Sequence, residues 1–474
     1  MASKEIKPAY YPLTLGGLGL AGLAIFHIVN PDLLSSMVSK FSYFTPGGTS
    51  LTIGEVAPLL FIESNFSLVN AWGNFTTGFF LSLISLGILI NLVIKQGGAE
   101  KSLLVVWSLA ILAATLGQRR FAYYLAVNVA LLTGYLSWRF FDFISLRRPA
   151  TEPAGKARKE AKVKAAPKES QKSGLHLTTH QVTVALGVIV VFFLVFYPNI
   201  GQAITTAKGA PRAPSDAWYA SLAWVKENTP DPFGAPDFYY ELYEPPAPGE
   251  SYKYPESAYG IMAWWDYGHW ITRISHRIPI SNPFQQGASQ AAQFFTAQDE
   301  TSANKIMDDL GARYVVIDFE TAIGKFWSIA IWAGSEETEF YETYYQLKKG
   351  ELVSRVLFYP EYYHSLSTRL YNFDGKAVTP DSSIVISYQE KVSPEGKAFR
   401  QITSKKTFAS YGGATTYVSN QKSANYIIVG TDPFISPVPL DALEHYNLIH
   451  RSDGGVLLPE IGRIPEVKIF EYVE

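Results

Sequence analysis

Two adjacent tryptophans followed by an acid form the segment of this chain best suited to chemistry. The run is Trp264-Trp265-Asp266-Tyr267-Gly268. Two indole rings can enclose a small dry pocket, and their N–H groups donate hydrogen bonds. A carboxylate beside them accepts a hydrogen bond from a hydroxyl group. The pentapeptide therefore predicts a pocket for a short polar side chain such as Ser or Thr. The alternative is an aromatic core cluster around a turn.

The pentapeptide resembles the signature of the catalytic subunit of oligosaccharyltransferases, the membrane enzymes that N-glycosylate proteins. In that family, the motif binds the Ser or Thr of an Asn-x-Ser/Thr acceptor. The resemblance implies that Trp264, Trp265, Asp266 and Tyr267 bind the acceptor polypeptide. A motif of this kind is a hypothesis that depends on its structural context.

The composition indicates a membrane-associated chain. Of 474 residues, 47% are hydrophobic and only 17% are charged, whereas about a quarter is charged in a typical soluble protein. The net charge of −2 gives no field that would attract nucleic acid, so we expect no nucleic-acid partner. The chain has no cysteine, which excludes disulfides, zinc thiolates and thiol nucleophiles.

Five hydrophobic runs approach the length that crosses a bilayer. They cover approximately Tyr11–Val29, Thr76–Ile94, Ser102–Gly117, Phe121–Phe141 and Gln181–Tyr197. We therefore predict a transmembrane region of about five α-helices in residues 1–203. Residues 204–474 should form a mixed α/β domain with a β-rich C-terminal part.

A basic segment predicts the orientation in the membrane. Between Arg147 and Lys172, nine basic residues outnumber three acidic ones, and the Ala/Pro/Lys/Glu composition is typical of a disordered linker. Cytoplasmic loops carry an excess of Lys and Arg. The linker, about residues 145–175, should thus be cytoplasmic. The loop 30–75 and the C-terminal domain should be extracytoplasmic, in a multi-pass protein of the cell membrane.

Two arginines occupy a turn that this topology places outside. Arg119 and Arg120 lie between the third and fourth runs, where the positive-inside rule disfavours them. Guanidinium groups bind phosphate through paired hydrogen bonds. The segment Arg120-Phe121-Ala122-Tyr123-Tyr124 resembles a family motif whose arginine contacts the phosphate of the lipid-linked oligosaccharide. Arg120 matches better than Arg119, and anchoring to lipid headgroups is the alternative.

The external loop contains a second match, Thr52-Ile53-Gly54-Glu55. It resembles the TIxE motif of the family, in which the glutamate helps to hold the acceptor asparagine amide. An amide nitrogen is a poor nucleophile, and a carboxylate that accepts its N–H groups can polarise it. The resemblance implies a catalytic role for Glu55, and an ordinary loop carboxylate is the alternative.

A partial match follows the pentapeptide. The family has a pocket element of the form Asp-x-x-Lys-x-x-x-Met/Ile, and Lys325 and Ile329 fit its second half. Ala322 stands where the Asp is expected. Lys325 is implied to bind the acceptor, or else it is a surface lysine. Ile329 is implied to pack on the methyl group of an acceptor Thr, a contact that contributes on the order of 0.8 kcal/mol.

Local patterns predict the elements of the C-terminal half. We expect a helix over Asp216–Asn228, capped by Asp216, and extended or irregular structure over His269–Ile280. Further expected helices and strands are the helices Gln290–Leu310 and Glu320–Trp332 and the strands Arg313–Asp318, Ser383–Tyr388, Gln401–Thr407, Thr415–Val418, Tyr426–Val429 and Val467–Tyr472.

The acidic metal motif of the family is missing from the predicted external loop. Family members carry Asp-x-Asp motifs upstream of the TIxE loop, and Asn30–Phe75 has none. The resemblance implies a Mn²⁺ or Mg²⁺ cofactor that assists departure of the phosphate. No metal ligand is identified in this chain, although Glu55 would lie near such an ion. The main ligands are expected in a companion chain or a missing N-terminal segment.

Two functions remain open from the sequence. The first is transfer of an oligosaccharide from a polyprenyl-phosphate or -pyrophosphate donor to the Asn of an Asn-x-Ser/Thr sequon, which makes the chain a glycosyltransferase of archaeal type. The second is a non-catalytic, membrane-anchored relative that binds sequons or glycans. The first predicts turnover once the metal site is supplied, and the second predicts peptide binding without turnover.

Overall fold

The structure is a computed structural model that describes residues 11–33, 48–62, 65–145, 179–210, 213–234 and 252–473, except for residues 395, 424 and 460, and a few isolated positions. It divides into two compact units, Met1–Ala210 and Pro211–Glu474. In the sequence, their boundary lies seven residues after the predicted boundary between residues 203 and 204. The basic linker Arg147–Lys172 lies outside the described residues.

Unit 1 is α-helical. Its helices are α1 Tyr11–Val29, α2 Val69–Phe75, α3 Thr77–Gln96, α4 Ala99–Gly117, α5 Ala122–Ser145, α6 Thr179–Val191 and α7 Tyr197–Gly209. A π-helical turn, Phe192–Phe196, joins α6 to α7. Two 3₁₀ turns, Gly48–Thr52 and Arg119–Phe121, and a two-stranded ladder of β1 Phe61–Ile62 and β2 Asn65–Phe66 complete the unit.

Four of the described helical stretches are long and apolar enough to cross a membrane, in line with four of the five predicted runs. They are Thr77–Gln96, Ala99–Gly117, Arg119–Ile144 and His180–Gly209, and Gly17–Val29 forms a shorter apolar helix. Their outward faces carry large apolar side chains, such as Leu103 and Ile94, each more than two-thirds exposed. Such faces are stable in lipid, where the helices satisfy their own backbone hydrogen bonds.

Unit 2 contains two five-stranded sheets. The first has the order β11-β14-β5-β3-β4 and comprises β3 Gly260–Met262, β4 Ile278–Pro279, β5 Ala312–Asp318, β11 Tyr446–Arg451 and β14 Val467–Tyr472. Strand β3 runs parallel to β4 and β5, whereas β14 is antiparallel to β5. Strand β5 is central and almost entirely buried, which explains its continuous apolar run Val315–Ile317.

The second sheet has the order β10-β8-β9-β6-β7. Its strands are β6 Tyr341–Lys348, β7 Glu351–Phe358, β8 Ser383–Val392, β9 Ala398–Phe408 and β10 Tyr426–Val429. A separate hairpin pairs β12 Gly455–Leu458 with β13 Gly462–Pro465. The sheet is antiparallel apart from β6 and β9, whose parallel pairing covers only Tyr344–Arg400 and Tyr345–Gln401.

Helices pack around these sheets. They are α8 Asp216–Asn228, α9 Gly268–Trp270, α10 Ala288–Thr296, α11 Glu300–Asp309, α12 Phe326–Ala333, α13 Pro360–His364, α14 Leu366–Phe373 and α15 Tyr411–Ser419. Two π-helical turns, Ile271–Ser275 and Glu320–Gly324, adjoin α9 and α12. The main apolar core of unit 2 lies between the first sheet and helices α8, α10 and α12, and includes Leu222, Phe295 and Ile317.

The predicted fold class, apolar helices followed by a mixed α/β domain with a β-rich end, is confirmed. Several local predictions are wrong. Thr415–Val418 is not a strand but lies within α15, because Ser410 caps the helix by accepting from the Gly413 N–H. The expected helix Gln290–Leu310 is broken, since Asp299 starts a new helix as its N-cap.

Two further differences lie near the motif. The cap of α8 is Ser215 rather than Asp216; its hydroxyl accepts from the Trp218 N–H. The stretch after the pentapeptide is helical over Gly268–Ser275 before it enters β4, and not extended or irregular throughout. A sequence pattern gives no signal for such short π-helical turns, which are rare and occur frequently at functional sites.

Candidate functional site

The pentapeptide lies at the carboxyl end of β3, where a tight turn separates buried from accessible side chains. Trp264 is 1% exposed, and the 3₁₀ turn Trp265–Tyr267 closes with a hydrogen bond from the Tyr267 N–H to the Trp264 carbonyl oxygen. Tyr267 points into the core, while Trp265 and Asp266 are only partly buried. The turn therefore presents one indole and one carboxylate at the surface of unit 2.

Asp318, the last residue of β5, holds this turn in place from the core side. Its Oδ2 accepts from the Tyr267 hydroxyl at 2.6 Å and from Trp218 Nε1 at 3.2 Å. Its Oδ1 accepts from the Thr321 N–H at 2.8 Å and from the Thr321 hydroxyl at 2.6 Å. The carboxylate is 2% exposed, so four donors compensate for its burial. Asp318 thus connects the motif to α8 and to the turn after β5.

Lys325 reaches the motif from the far end of that turn. Its Nζ lies 2.5 Å from Asp266 Oδ2 and 5.2 Å from the centre of the Tyr267 ring. Both side chains of the ion pair are about one-third exposed. Lys325 is therefore not an isolated surface lysine, and two motifs separated by 59 residues meet in one place.

A free donor lies next to this ion pair. The Nε1 atom of Trp265 is buried and has no hydrogen-bond partner within the described part of the chain. Buried polar atoms in folded proteins are nearly always paired, and an exception indicates an absent water, ion or ligand. The indole N–H thus lacks an acceptor among the described residues, although it is covered in this structure.

Three of the predicted acceptor-binding residues lie in the core. Trp264, Tyr267 and Ile329 are 1%, 4% and 0% exposed, and all three belong to the main apolar cluster. Ile329 therefore presents no surface to the methyl group of an acceptor Thr in this structure. The accessible part of the predicted site consists of Trp265, Asp266 and Lys325, with Tyr267 behind them.

Gly268 allows close packing behind the motif. A Cβ atom at this position would contact the Ser281 carbonyl oxygen and would lie 2.7 Å from Asn282 Cα. The loop that follows β4 therefore packs directly on the motif backbone. Because both obstacles are backbone atoms, a side chain at position 268 would displace this loop.

Burial and charge determine the protonation states around the motif. The pKa of Tyr267 is raised well above 10.0, first by burial and then by the neighbouring Asp318 carboxylate. The hydroxyl consequently remains a donor at every physiological pH. The pKa of Glu320 is also raised, by desolvation and by the charge of Asp318, although Lys325 opposes this effect.

In unit 1, the two remaining predicted motifs lie side by side. The Arg120 N–H donates to the Glu55 carbonyl oxygen at 2.7 Å, and the Arg119 N–H donates to the Ala57 carbonyl oxygen at 2.9 Å. These bonds join the loop before α2 to the turn between α4 and α5. The side chain of Glu55 is exposed, whereas Arg119 and Arg120 are partly buried.

The two arginines have different surroundings. Arg119 Nη1 donates to Asn70 Oδ1 at 3.1 Å, which ties Arg119 to helix α2. The guanidinium of Arg120 lies 5.7 Å from the centre of the Phe121 ring. Both arginines therefore make contacts within unit 1, and Arg119 is tied to helix α2.

The residues described here form no metal site of their own. Across those residues, no group of three or more His, Asp or Glu side chains lies close enough together to hold an ion. Mg²⁺ and Mn²⁺ require several oxygen ligands, and Glu55 provides at most two. The described residues of this chain therefore do not fit the metal centre that the sequence resemblance implies.

Comparison with known proteins gives a consistent result. The family model of the AglB core domain matches residues 215–322. Dolichyl-phosphooligosaccharide-protein glycotransferase 3 of Archaeoglobus fulgidus is 32% identical over 333 residues, which are 68% of this chain and 36% of that protein. The AglB glycotransferase of Haloferax volcanii is 27% identical and matches 96% of this chain and 50% of its own length.

The chain resembles the catalytic subunit of archaeal oligosaccharyltransferases. A structure of AglB from Archaeoglobus fulgidus, in complex with an inhibitory peptide and a dolichol-phosphate, superposes with a TM-score of 0.68 and 24% identity. It covers 99% of this chain and 54% of its own. This chain thus has the fold of an AglB region but spans half or less of the length of these two curated relatives.

Asp318 and Trp218 are the residues at this AglB-like site that sequence reasoning missed. The strand Arg313–Asp318 was predicted, and an acid at the end of an otherwise apolar buried run is the signal that could have identified Asp318. Trp218 lies within the helix predicted over Asp216–Asn228, without a predicted role of its own. Its ring lies 4.2 Å from the Tyr267 ring, so it also supports the motif.

Proposed function

We propose that this chain contributes to protein N-glycosylation by transferring an oligosaccharide from a polyprenyl-linked phosphate or pyrophosphate to the Asn of an Asn-x-Ser/Thr sequon. The observation that carries the proposal is the ion pair between Asp266 and Lys325 beside the unpaired Trp265 N–H. The archaeal relatives are named as glycotransferases, which supports the same activity.

The exposed groups of unit 2 suit the hydroxyl side chain at the third position of the sequon. The Asp266 carboxylate accepts the hydrogen bond of a Ser or Thr hydroxyl. Lys325 stabilises the charge of Asp266 and orients it. A relative has been crystallised with a tethered acceptor peptide that contains the sequence NVT, which supports this class of ligand.

An acceptor-binding measurement tests the proposal. Asp266→Ala should weaken binding of a fluorescent Asn-x-Thr peptide at least tenfold, because loss of a hydrogen bond to a charged group costs on the order of 1.5–3 kcal/mol. Asp309→Ala is the matched control, since Asp309 is an exposed acid on α11. Equal peptide affinity for wild type and Asp266→Ala, measured by fluorescence anisotropy, rejects the assignment.

In the proposed reaction, the amide nitrogen of the acceptor Asn forms a bond to the anomeric carbon, and the bond from that carbon to the phosphate oxygen breaks. The electron pair of the broken bond leaves with the lipid phosphate. Glu55 accepts hydrogen bonds from the amide N–H groups and takes the one proton that the amide nitrogen loses. Arg120, with Arg119 beside it, binds the phosphate of the lipid-linked donor. The short bond between the backbones of Glu55 and Arg120 supports a joint role.

A divalent cation, Mn²⁺ or Mg²⁺, remains a prediction of the family resemblance. One structure of a relative was determined in complex with Zn and sulfate. The described residues of this chain form no cluster of metal ligands, so they do not hold this ion by themselves. We propose that its main ligands come from outside this chain, from a companion chain or a further segment.

We further propose that unit 2 is extracytoplasmic. The apolar stretch His180–Gly209 separates it from the basic linker, so these two parts should lie on opposite sides of the membrane. Because the chain has no cysteine, single cysteines report cleanly on location. In intact cells, an impermeant maleimide should label Asp309→Cys but not Ala165→Cys; labelling of the linker position contradicts the topology.

The alternative, a membrane-anchored relative that binds sequons without turnover, makes a different prediction. Both hypotheses expect peptide binding at Asp266. Only the first expects glycan transfer to the peptide when a polypeptide with the early spans and the Asp-x-Asp motifs of the family is added. A gel-shift assay with purified donor distinguishes the two, and peptide binding without transfer in that mixture supports the alternative.

A further inference from the structure

The second sheet of unit 2 contains a cavity that includes none of the predicted site residues. Its volume is about 630 Å³, which is within the usual range for small-molecule sites. It lies beside β6 and β9, next to the two positions at which these strands pair in parallel. The β8–β9 turn, with Ser393 and Lys397, forms another side of the cavity.

An ion pair lies in the wall of this cavity. Arg400 Nη1 donates to Glu342 Oε2, and the Tyr359 hydroxyl donates to the same oxygen at 3.0 Å. The two charged side chains are 31% and 24% exposed. Arg400 also lies near two further groups: its Nη1 donates to the Tyr344 hydroxyl at 3.4 Å, and its Nε lies 3.7 Å from Glu390 Oε1.

Aromatic rings surround the ion pair. Tyr345 and Phe399 line the cavity and contact each other edge to face, with ring centres 5.3 Å apart. A second cavity of about 670 Å³ shares Arg400 and is lined by four tyrosines, namely Tyr344, Tyr359, Tyr388 and Tyr426. The Arg400 guanidinium lies 5.1 Å from the centre of the Tyr388 ring. The ion pair is thus enclosed by aromatic surface.

We propose that this cavity is a carbohydrate-binding site for a short oligosaccharide. One face of a sugar ring is formed by C–H groups, which pack on aromatic rings such as Tyr345 and Phe399. Adjacent sugar hydroxyls each donate and accept, and they match the neighbouring carboxylate and guanidinium of Glu342 and Arg400.

The charge balance of the cavity favours a sugar over an anionic ligand. Arg400 is already neutralised by Glu342, and the pKa of the Arg400 guanidinium is raised by its partners Tyr344 and Glu342 against the effect of burial. A phosphate ligand would have to displace that carboxylate, whereas a polyhydroxyl ligand adds to both groups. The site is independent of glycan transfer, so it can exist whether or not the chain is active.

Saturation-transfer-difference NMR on the full chain in nanodiscs tests this site. The probes are the neutral sugars triacetylchitotriose, mannotriose and maltotriose. We expect saturation transfer from the aromatic protons of the protein to the C–H groups of at least one probe. Phe399→Ala and Tyr345→Ala should each reduce that transfer at least fivefold, because each removes one aromatic wall and leaves the ion pair in place.

Two controls separate the site from general effects. Phe399→Tyr retains the ring and should retain the signal, and Tyr219→Ala removes a tyrosine on α8 that is 59% exposed and lies outside the cavity. Absence of transfer to all three probes in the wild type overturns the proposal, as does transfer that survives both alanine substitutions. Since acceptor-peptide binding through Asp266 is measured separately, failure here leaves the proposed function unaffected.

Discussion

The pentapeptide Trp264–Gly268 in unit 2 and the Glu55–Arg120 loop in unit 1 are held in place in different ways. The pentapeptide is held by hydrogen bonds between side chains, because Asp318 accepts from Tyr267, Trp218 and Thr321 in the core. The loop that contains Glu55 is held by backbone hydrogen bonds, which the N–H groups of Arg119 and Arg120 donate to it. The side chain of Glu55 remains exposed.

This difference indicates a division of tasks. A pocket that recognises one hydroxyl gains affinity from groups that are already in position, because less ordering is required on binding. A carboxylate that acts on an amide during attack needs its chain segment in place but benefits from a side chain that can adjust to the donor and acceptor. Substitutions should therefore affect stability in the first region and turnover in the second.

The largest effect is expected at Asp318. Asp318→Ala leaves four donors without their acceptor, which should cost about 3 kcal/mol or more. The melting temperature of the full chain in detergent, followed by intrinsic fluorescence, should fall by about 10 °C, and peptide binding should be lost as well. Asp309→Ala serves as the control. An unchanged melting temperature would mean that side chains do not hold the motif in place.

The second prediction concerns Glu55. In an enzyme assembled with the family's early spans, Glu55→Gln should lower turnover about 100-fold, the usual effect of removing one electrostatic contact in a transition state. Peptide affinity and melting temperature should remain at the wild-type values because the backbone bonds are unaffected. If the substitution lowered stability as much as Asp318→Ala does, the contrast between the two regions would be wrong.

The third prediction separates the two arginines. Arg120→Ala should weaken binding of vesicles that contain polyprenyl phosphate about tenfold, since a charge-assisted bond contributes on the order of 1.5 kcal/mol. Arg119→Ala should mainly lower the melting temperature, because it breaks the contact with Asn70. The reverse pattern in a vesicle flotation assay would assign the phosphate to Arg119.

The smallest expected effect is a pH dependence within unit 2. Burial lowers the pKa of His450, which bonds to Ser221 at 3.1 Å and stacks on Trp224 of α8. The folded state therefore binds a proton at His450 less readily than the unfolded state. The stability contributed by neutral His450 is present above about pH 6.5 and is lost as pH falls through the lowered pKa. In melting curves from pH 7.5 to 5, His450→Gln should reduce the fall in melting temperature only in part, because the pKa values of His276 and His364 are also lowered. An unchanged slope excludes His450 as a contributor.

Patterns with a long period or a strong composition were predictable from the sequence. Four membrane-length helices, the helix Asp216–Asn228 and the buried strand ending at Asp318 follow from hydrophobic runs and periodicity. The resemblance implied that Asp266 and Lys325 both bind the acceptor, but the ion pair between them was not predicted. Because side-chain burial depends on long-range packing, the core positions of Trp264 and Ile329 were not foreseen.

The structure shows which buried acid lies near the partial motif. The sequence pattern required an acid three residues before Lys325, where Ala322 stands. Asp318 lies seven residues before Lys325, and the π-helical turn Glu320–Gly324 separates the two. The single residue that a π-helical turn adds to a regular helix does not account for this difference of four residues, so Asp318 does not replace the expected acid.

The glycine that ends the pentapeptide has a consequence for how such proteins are recognised. With the backbone of residues 281 and 282 packed against it, position 268 tolerates no Cβ, whatever ligand the neighbouring residues bind. The residue types at Trp265 and Asp266 therefore depend on the ligand, whereas Gly268 depends on packing. Relatives that lose their ligand should vary at Asp266 and Trp265 but retain Gly268. Substitution at the first two positions thus indicates a change of function, and substitution at position 268 indicates a change of fold.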